Sequence, residues 1–141
     1  MARVDFYILP AQQGVEQFAC KLADQIWEKH SIYIHTEDEP AANALDDLLW
    51  TFSDTSFVPH ATLDALDQDP ELEAAVRIGY PSKETSDSDV LFNLSSIIPG
   101  FISSYERIVE VVGGDESRKR AARIRYKSYK ENGHEIHDHK I

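Results

Sequence analysis

Short apolar segments and helically spaced apolar residues alternate along the chain. Apolar runs predict strands over 3–9, 31–36, 75–80, 90–94 and 107–112. Apolar residues at intervals of three and four predict helices over about 15–29, 40–52 and 115–132. Strands that alternate with helices are typical of a mostly parallel sheet with helices on both faces. The pattern therefore predicts an α/β fold.

Polar segments separate some of these elements and close the chain. Residues 60–73 and 81–89 are polar or acidic and each contains a proline, so we predict loops there. The last eight residues, 134–141, follow Gly133 and are interpreted as a polar tail that contains histidines. We therefore expect one α/β domain over 1–133 and a tail over 134–141.

The composition is that of a globular domain. The 141 residues are 42% hydrophobic and 28% charged, which is close to globular averages. No apolar run reaches the roughly 18 residues that a membrane span needs, and the N-terminal residues lack the pattern of a signal peptide. Cys20 is the single cysteine, as is typical of a reducing compartment. We expect a cytoplasmic protein.

Charge is distributed unevenly along the chain. The net charge is −11, yet seven of the 14 Lys and Arg residues lie between 118 and 130 with no acidic residue among them. The other 128 residues carry seven Lys and Arg against 25 Asp and Glu, a net charge of −18. Such an acidic body argues against a protein whose whole surface binds nucleic acid.

The basic segment is predicted to be the last helix, and helical geometry sorts its residues into two sides. At 100° per residue, one side carries the charged residues and a tyrosine: Lys119, Arg123, Tyr126, Lys127 and Lys130. The other side is expected to face the core and carries Ala121, Ala122, Ile124, Ser128 and Tyr129. Like charges at these spacings repel by a few tenths of a kcal/mol per pair, which favours an anionic partner. A short acidic peptide fits this charge distribution better than DNA, although direct DNA binding stays an alternative.

Aromatic residues near the end of the second predicted helix are a second candidate feature. Trp50 lies about 140° from Leu45 around that helix, so it cannot share the apolar stripe that faces the core. Together with Phe52 and Phe57 it forms a cluster able to line an apolar pocket. The alternative, that Trp50 packs under the following loop, stays open.

One cluster is the main candidate for enzyme chemistry. The glycines form neither a dinucleotide-binding fingerprint nor a phosphate-binding P-loop, so we expect no nucleotide site and no cofactor. His35, Glu37 and Asp38 follow the second predicted strand and define the alternative, a small metal- or nucleotide-dependent enzyme. Acidic residues before Pro40 also favour a helix start, which accounts for them without a metal. We expect no enzyme, no metal site and no catalytic residues.

Several segments, in the same order, carry a resemblance to a known family. LDDLLWTFSDTSFVPH at 45–60, RIVEVV at 107–112 and KRAARIRYKSYKENG at 119–133 resemble the chi subunit of bacterial DNA polymerase III holoenzyme. The resemblance covers about 3–133. It implies a non-catalytic accessory subunit for DNA replication, with a Rossmann-like α/β fold that lacks a nucleotide-binding loop.

The resemblance also implies partners and binding residues. Chi proteins pair one to one with the psi subunit, which connects them to the clamp-loader complex, and they bind the acidic C-terminal tail of single-stranded DNA-binding protein. That tail ends in an apolar aromatic residue after several aspartates. The family pattern assigns tail binding to the cationic residues and aromatic rings at Lys119, Arg123, Tyr126, Lys127, Trp50 and Phe57. The cations would hold carboxylates, and Trp50 with Phe57 would receive the apolar terminus.

Two departures from the family pattern lead to further expectations. Phe101 and Ile102 stand where relatives often have two phenylalanines, and the apolar segment around them is a hypothetical psi-binding surface. The alternative is that this segment is core. The acidic segment 61–73 would weaken or steer docking of an acidic tail if it lies near the basic helix.

Overall fold

The computed structural model describes residues 2–85 and 87–141, and its centre is one seven-stranded sheet. The strands are β1 (Arg3–Ile8), β2 (Ile32–His35), β3 (His60–Thr62), β4 (Val76–Gly79), β5 (Val90–Asn93), β6 (Arg107–Val112) and β7 (Glu135–Lys140). The helices are α1 (Val15–Ile26), α2 (Glu39–Thr51), α3 (Leu63–Gln68) and α4 (Glu116–Glu131). The strand order is β3-β4-β2-β5-β6-β1-β7, and every neighbouring pair is parallel. The predicted α/β fold is confirmed.

Successive strand residues point to opposite faces of the sheet and form two separate core layers. On β2, Ile32 and Ile34 pack in the layer that α1 and α2 cover, whereas Tyr33 packs in the other layer. This second layer lies under α4 and also contains Phe6 and Ile108. Helices α2 and α4 therefore cover opposite faces of the sheet. No helix of the described part is long and apolar enough to cross a membrane.

The loop prediction for 60–73 is wrong in its first half. Residues His60–Thr62 form edge strand β3, and α3 follows at once because the Thr62 hydroxyl accepts a hydrogen bond from the Ala65 amide at 3.2 Å. Both elements are very short, so they carry too few apolar positions to show a period. They lie at the β3 edge of the sheet, and five strands separate β3 from β7 at the other edge, so the acidic segment is remote from α4.

The predicted tail over 134–141 is also incorrect, because residues 135–140 form β7. Gly133 has φ 79°, the left-handed conformation that commonly ends a helix, and it turns the chain from α4 back to the sheet. The new strand pairs with β1 along its whole length, from Arg3 opposite Glu135 to Ile8 opposite Lys140. An edge strand needs few apolar residues, so its sequence resembled a tail.

Candidate peptide-binding site

Local sequence signals fix where α4 begins. The chain leaves β6 through Gly113 and Gly114, and the Asp115 carboxylate then accepts a hydrogen bond from the Arg118 amide at 2.7 Å. Such a cap satisfies an amide that the helix itself leaves unpaired. The cap therefore places the basic residues of α4 above the β6–β1–β7 end of the sheet.

A buried ion pair decides which side of α4 faces the sheet. Glu110 on β6 is fully buried and accepts from Arg125 Nε at 3.0 Å and from the Tyr129 hydroxyl at 2.7 Å. Burial raises the pKa of Glu110, and the donors around it, which include Asn93, oppose this rise. Arg125 also donates to the carbonyl of Ser96 at 3.0 Å. The helix is thus held to the sheet by polar contacts as well as by packing.

This anchor changes the predicted core face of α4. Ala122 and Tyr129 are buried as expected, but Ile124 is 69% exposed. Arg125 takes the position that an apolar residue would normally hold, so the buried side is turned away from Ile124. The expectation that Ile124 faces the core was wrong, because helical spacing does not show the buried Glu110 on β6 that pairs with Arg125.

Beside α4 lies a concave site of about 370 Å³ between the helix, β1 and β7. Its floor is apolar and consists of Phe6, Ile8, Val112 and Ala122. Its polar lining consists of Lys119, Arg123, Tyr126 and Asp138. We call these eight residues the α4 pocket. An apolar floor with a few polar groups at the rim is typical of small-ligand and peptide sites.

The cations of the α4 pocket are not engaged by the rest of the protein. Among the described residues, no carboxylate oxygen lies within 4.0 Å of a side-chain nitrogen of Lys119 or Arg123. Lys127 lies outside the pocket lining, and its ammonium is 3.9 Å from the Glu131 carboxylate. Two of the three predicted carboxylate-binding cations therefore share one pocket, and the third flanks it on the same helix.

Tyr126 forms part of the pocket wall through its ring. The ring centroid lies 5.0 Å from that of Phe6, at an interplanar angle of 53°. Its hydroxyl is 3.5 Å from the Asp138 carboxylate of β7. Tyr126 is thus fixed between the pocket floor and the edge strand, as expected for a ring wall with a polar tip.

Trp50 and Phe57 do not belong to this pocket, which corrects the predicted single site. Trp50 is 58% exposed and Phe57 is 63% exposed, and their ring centroids are 5.9 Å apart. They lie on α2 and its following loop, and α2 covers the sheet face opposite to α4. A helical wheel gives the direction of Trp50 on its own helix, but it cannot tell which face of the sheet that helix covers.

The surroundings of Trp50 show how the pair is held. The Trp50 ring lies 4.7 Å from the His60 ring, whose nitrogens are 2.7 Å from the Val58 carbonyl and 3.0 Å from the Asp46 carbonyl. His60 is therefore a hydrogen-bonded structural residue whose ring packs against the ring of Trp50. The two exposed rings form a separate apolar surface, which we call the Trp50–Phe57 surface.

The hypothetical psi-binding residues are packed rather than free. Phe101 is half-buried, and its ring lies 5.9 Å from Tyr33, 5.4 Å from His35 and 6.1 Å from Tyr105. Ile102 is also half-buried and packs on the same core layer. Both residues contribute to the core under the α4 side of the sheet.

The candidate metal cluster makes contacts within the fold. The Tyr33 hydroxyl is 2.8 Å from Nδ1 of His35, and burial lowers the pKa of His35 to about 4. Asp38 caps α2 by accepting from the Ala41 amide at 2.9 Å, and Glu37 accepts from the Ser96 amide at 2.6 Å. The described residues contain no group of three or more His, Cys, Asp or Glu side chains placed to hold a metal ion.

The floor of the α4 pocket was not among the residues predicted from the sequence. Phe6 and Ile8 alternate along β1, so both side chains point to the face that α4 covers. Alternation within the predicted strand 3–9 was the available signal, but it does not show that these residues line a pocket beside α4. Asp138 was missed because it lay in the predicted tail.

The fold and the site together define a class: a parallel α/β domain that has a pocket with an apolar floor and a cationic rim. The family described as "DNA polymerase III chi subunit, HolC" matches residues 1–137. The chain belongs to the DNA polymerase III chi subunit family, which confirms the resemblance found in the sequence.

Three relatives have the same name, "DNA polymerase III subunit chi". The Pseudomonas aeruginosa protein is 33% identical, covering all of this chain and 98% of the relative. The Escherichia coli K12 protein is 33% identical over 94% of each chain. The Haemophilus influenzae protein is 34% identical over 91% of this chain and 90% of the relative.

A more distant likeness concerns the fold alone. The crystal structure of T4 UvsW superposes with a TM-score of 0.64 at 9% sequence identity. The match covers 99% of this chain but only 41% of that longer chain. It shows that the sheet and its helices follow a common α/β arrangement.

Proposed function

We propose that this protein is a non-catalytic accessory subunit of the DNA polymerase III holoenzyme that binds the acidic C-terminal tail of single-stranded DNA-binding protein. Through a psi subunit, it would connect protein-coated single-stranded DNA to the clamp-loader complex. Membership of the chi family supports the replication role. The α4 pocket, where two unpaired cations border an apolar floor, carries the proposal for tail binding.

The two parts of the pocket match the two parts of the tail. Lys119 and Arg123 would bind aspartate and terminal carboxylates through charge-assisted hydrogen bonds. Phe6, Ile8 and Val112 would contact the apolar aromatic side chain at the end of the peptide. In the sequence-based hypothesis this role belonged to Trp50 and Phe57, which lie on the other side of the protein.

Charge outside the pocket favours a short peptide over a nucleic acid. A peptide interacts chiefly with cations within one Debye length, about 8 Å at physiological salt. A longer polyanion also meets the acidic remainder of the chain, whose net charge is −18 outside residues 118–130. Binding to the tail should therefore be stronger than binding to a naked single strand of DNA.

A peptide titration tests this proposal. The probe is an acidic peptide that ends in a free aromatic carboxylate, compared with the same peptide without its last residue. We expect Arg123→Ala to weaken binding of the intact peptide by about 1–3 kcal/mol, since a charge-assisted hydrogen bond is lost. Isothermal titration calorimetry at low and moderate salt measures the change.

Arg120→Ala is the matched control for the titration. Arg120 is an exposed arginine of the same helix that does not line the pocket, so its loss removes equal charge without a direct contact. We expect less than a threefold effect from it. Equal binding by Arg123→Ala and the unaltered protein would show that the tail binds elsewhere. Stronger binding to a single-stranded oligonucleotide than to the peptide would favour direct DNA binding.

A second surface is available for the psi subunit. The Trp50–Phe57 surface presents two exposed aromatic rings, a composition that is common at the energetic centre of protein interfaces. Phe101 and Ile102 are half-buried, so they offer a partner less area. We therefore assign psi to the Trp50–Phe57 surface, which leaves the α4 pocket free for the tail.

Paired variants test this assignment. We expect Trp50→Ala to weaken psi binding by about 2 kcal/mol or more while peptide binding is unchanged. Phe101→Leu keeps an apolar side chain in the core and should leave psi binding nearly unchanged. Undiminished psi binding by Trp50→Ala, together with a loss in Phe101→Leu, would return the psi site to the 101–102 segment.

A further inference from the structure

One carboxylate lies inside the pocket that is proposed to bind carboxylates. Asp138 lines the α4 pocket together with Lys119, Arg123 and Tyr126. Its position is set by the register of β7 on β1, in which Asp138 is opposite Phe6, so both side chains point to the α4 side of the sheet. Asp138 is thus a built-in part of the pocket wall.

The Asp138 charge is not neutralised by the cations around it. Within the described residues, no Lys, Arg or His nitrogen lies within 4.0 Å of its carboxylate. Its hydrogen bond comes from the Tyr126 hydroxyl, at 3.5 Å. Lys140, two residues further along β7, points to the same face but forms no ion pair with it. A peptide that enters the pocket therefore meets the negative charge of Asp138 on the edge strand β7, next to the apolar floor.

The family match does not extend to this residue. The family matches residues 1–137, and Asp138 comes one position later, in the last half of β7. By contrast, β1, the strand with which β7 pairs, lies entirely within the residues that the family matches. Asp138 itself therefore lies one position beyond the family match, while the first half of its strand lies within it.

We infer that Asp138 is a specificity-determining residue of the α4 pocket, an internal carboxylate that opposes acidic groups near β7. The inference rests on the proposed function, because it concerns the same bound peptide. Carboxylates of the peptide are directed to the outer side of α4, toward Lys119, Arg123 and Lys127. The apolar side chain of the last residue, and not the α-carboxylate beside it, is the part of the peptide that can approach β7 without repulsion.

Asp138 also limits what Tyr126 can do. A phenolic hydroxyl has one hydrogen to donate, and the Tyr126 hydroxyl directs it at the Asp138 carboxylate over a long contact of 3.5 Å. A peptide carboxylate that bonds to Tyr126 must first compete with Asp138 for this hydrogen. Charge repulsion by Asp138 and its competition for the Tyr126 hydrogen both weaken the binding of acidic peptides. Asp138 therefore lowers the affinity for such peptides and restricts which of them bind.

The test is a titration of Asp138→Asn with the acidic, aromatic-ended peptide. The substitution keeps the shape and an acceptor oxygen but removes the charge. We expect binding to become about three- to tenfold tighter at low salt, and the gain to shrink toward one at high salt. A change of packing would not depend on salt in this way.

Glu135→Gln is the matched control. Glu135 is on the same strand, but its side chain points to the opposite face and is 71% exposed. We expect less than a twofold change from it. Equal or weaker binding by Asp138→Asn, with the unaltered protein still binding the peptide, would overturn this inference alone. If neither protein binds the peptide, the proposed function is wrong and the inference falls with it.

Discussion

Two buried carboxylates, on neighbouring strands, hold the two walls of the α4 pocket in different ways. Glu110 on β6 binds Arg125 and Tyr129 and so fixes α4, the wall that carries the cations. Asp5 on β1 accepts from His139 of β7 at 2.9 Å and so fixes the edge strand, the wall that carries Asp138. Both carboxylates are 0% exposed.

The two carboxylates differ in how far the side chains that bind them are exposed to solvent. Arg125 is itself buried, with 8% of its side chain exposed, so the Glu110 pair is isolated from water on both sides. The partners of Asp5 are partly exposed: 49% for Arg3, 33% for Arg107 and 37% for His139. Breaking the first anchor leaves a charge buried without a partner, whereas breaking the second leaves groups that water can still solvate. The two walls should therefore differ in stability.

The largest effect is expected for Arg125→Ala. The variant leaves the Glu110 carboxyl group buried without its cation, which typically costs about 3–5 kcal/mol. Chemical denaturation followed by circular dichroism measures the free energy of unfolding. Arg123→Ala removes an arginine two residues away on the exposed side and should change this free energy by less than about 0.5 kcal/mol.

A double variant sharpens this prediction. Glu110→Gln combined with Arg125→Ala removes both charges and keeps an acceptor for Tyr129 and Asn93, so it should be more stable than Arg125→Ala alone. If Arg125→Ala alone were as stable as the unaltered protein, the ion pair between Glu110 and Arg125 would not anchor α4.

Individual strands and helices could be predicted from the sequence better than the contacts between them. Five of the strands and three of the helices follow from apolar period and capping residues, which act locally. Strand β7 was missed because its stability comes from pairing with β1 and from His139 stacking on Tyr7 at 4.7 Å, which are long-range contacts.

The candidate site shows the same limit. Helical spacing grouped Lys119, Arg123 and Tyr126 correctly on one side of α4, since that is a property of a single helix. The family resemblance joined Trp50 to them, whereas the structure has the two helices on opposite faces of the sheet. Arg125 was assigned to neither side of the helix, because the spacing of a helix does not show a buried glutamate on another strand.

The second prediction concerns the acid side of the stability curve. Burial alone would raise the pKa of Asp5, but the hydrogen bonds from His139 and Arg3 outweigh it and hold this pKa below its ordinary value. The stability that Asp5 provides is therefore fully present above about pH 4 and is lost as the pH falls through the folded-state pKa.

Asp5→Asn tests this dependence. The variant should be less stable than the unaltered protein by about 1–2 kcal/mol at pH 7, since a hydrogen-bonded buried carboxylate is lost. The difference should narrow as the pH is lowered below 4, and unfolding curves at several pH values measure it. Parallel stability curves for the two proteins down to pH 2 would contradict the assignment.

The smallest effect is expected for His139→Ala, which loosens only the β7 wall. The substitution removes one hydrogen bond to Asp5 and the ring that stacks on Tyr7, but it leaves the strand pairing with β1 in place. We expect a loss of about 0.5–1.5 kcal/mol in protection of the β7 amides, measured by native-state hydrogen exchange, with α4 amides unchanged. Equal loss of protection in β7 and α4 would mean that the two walls unfold together, and the contrast between the anchors of Glu110 and Asp5 would then be wrong.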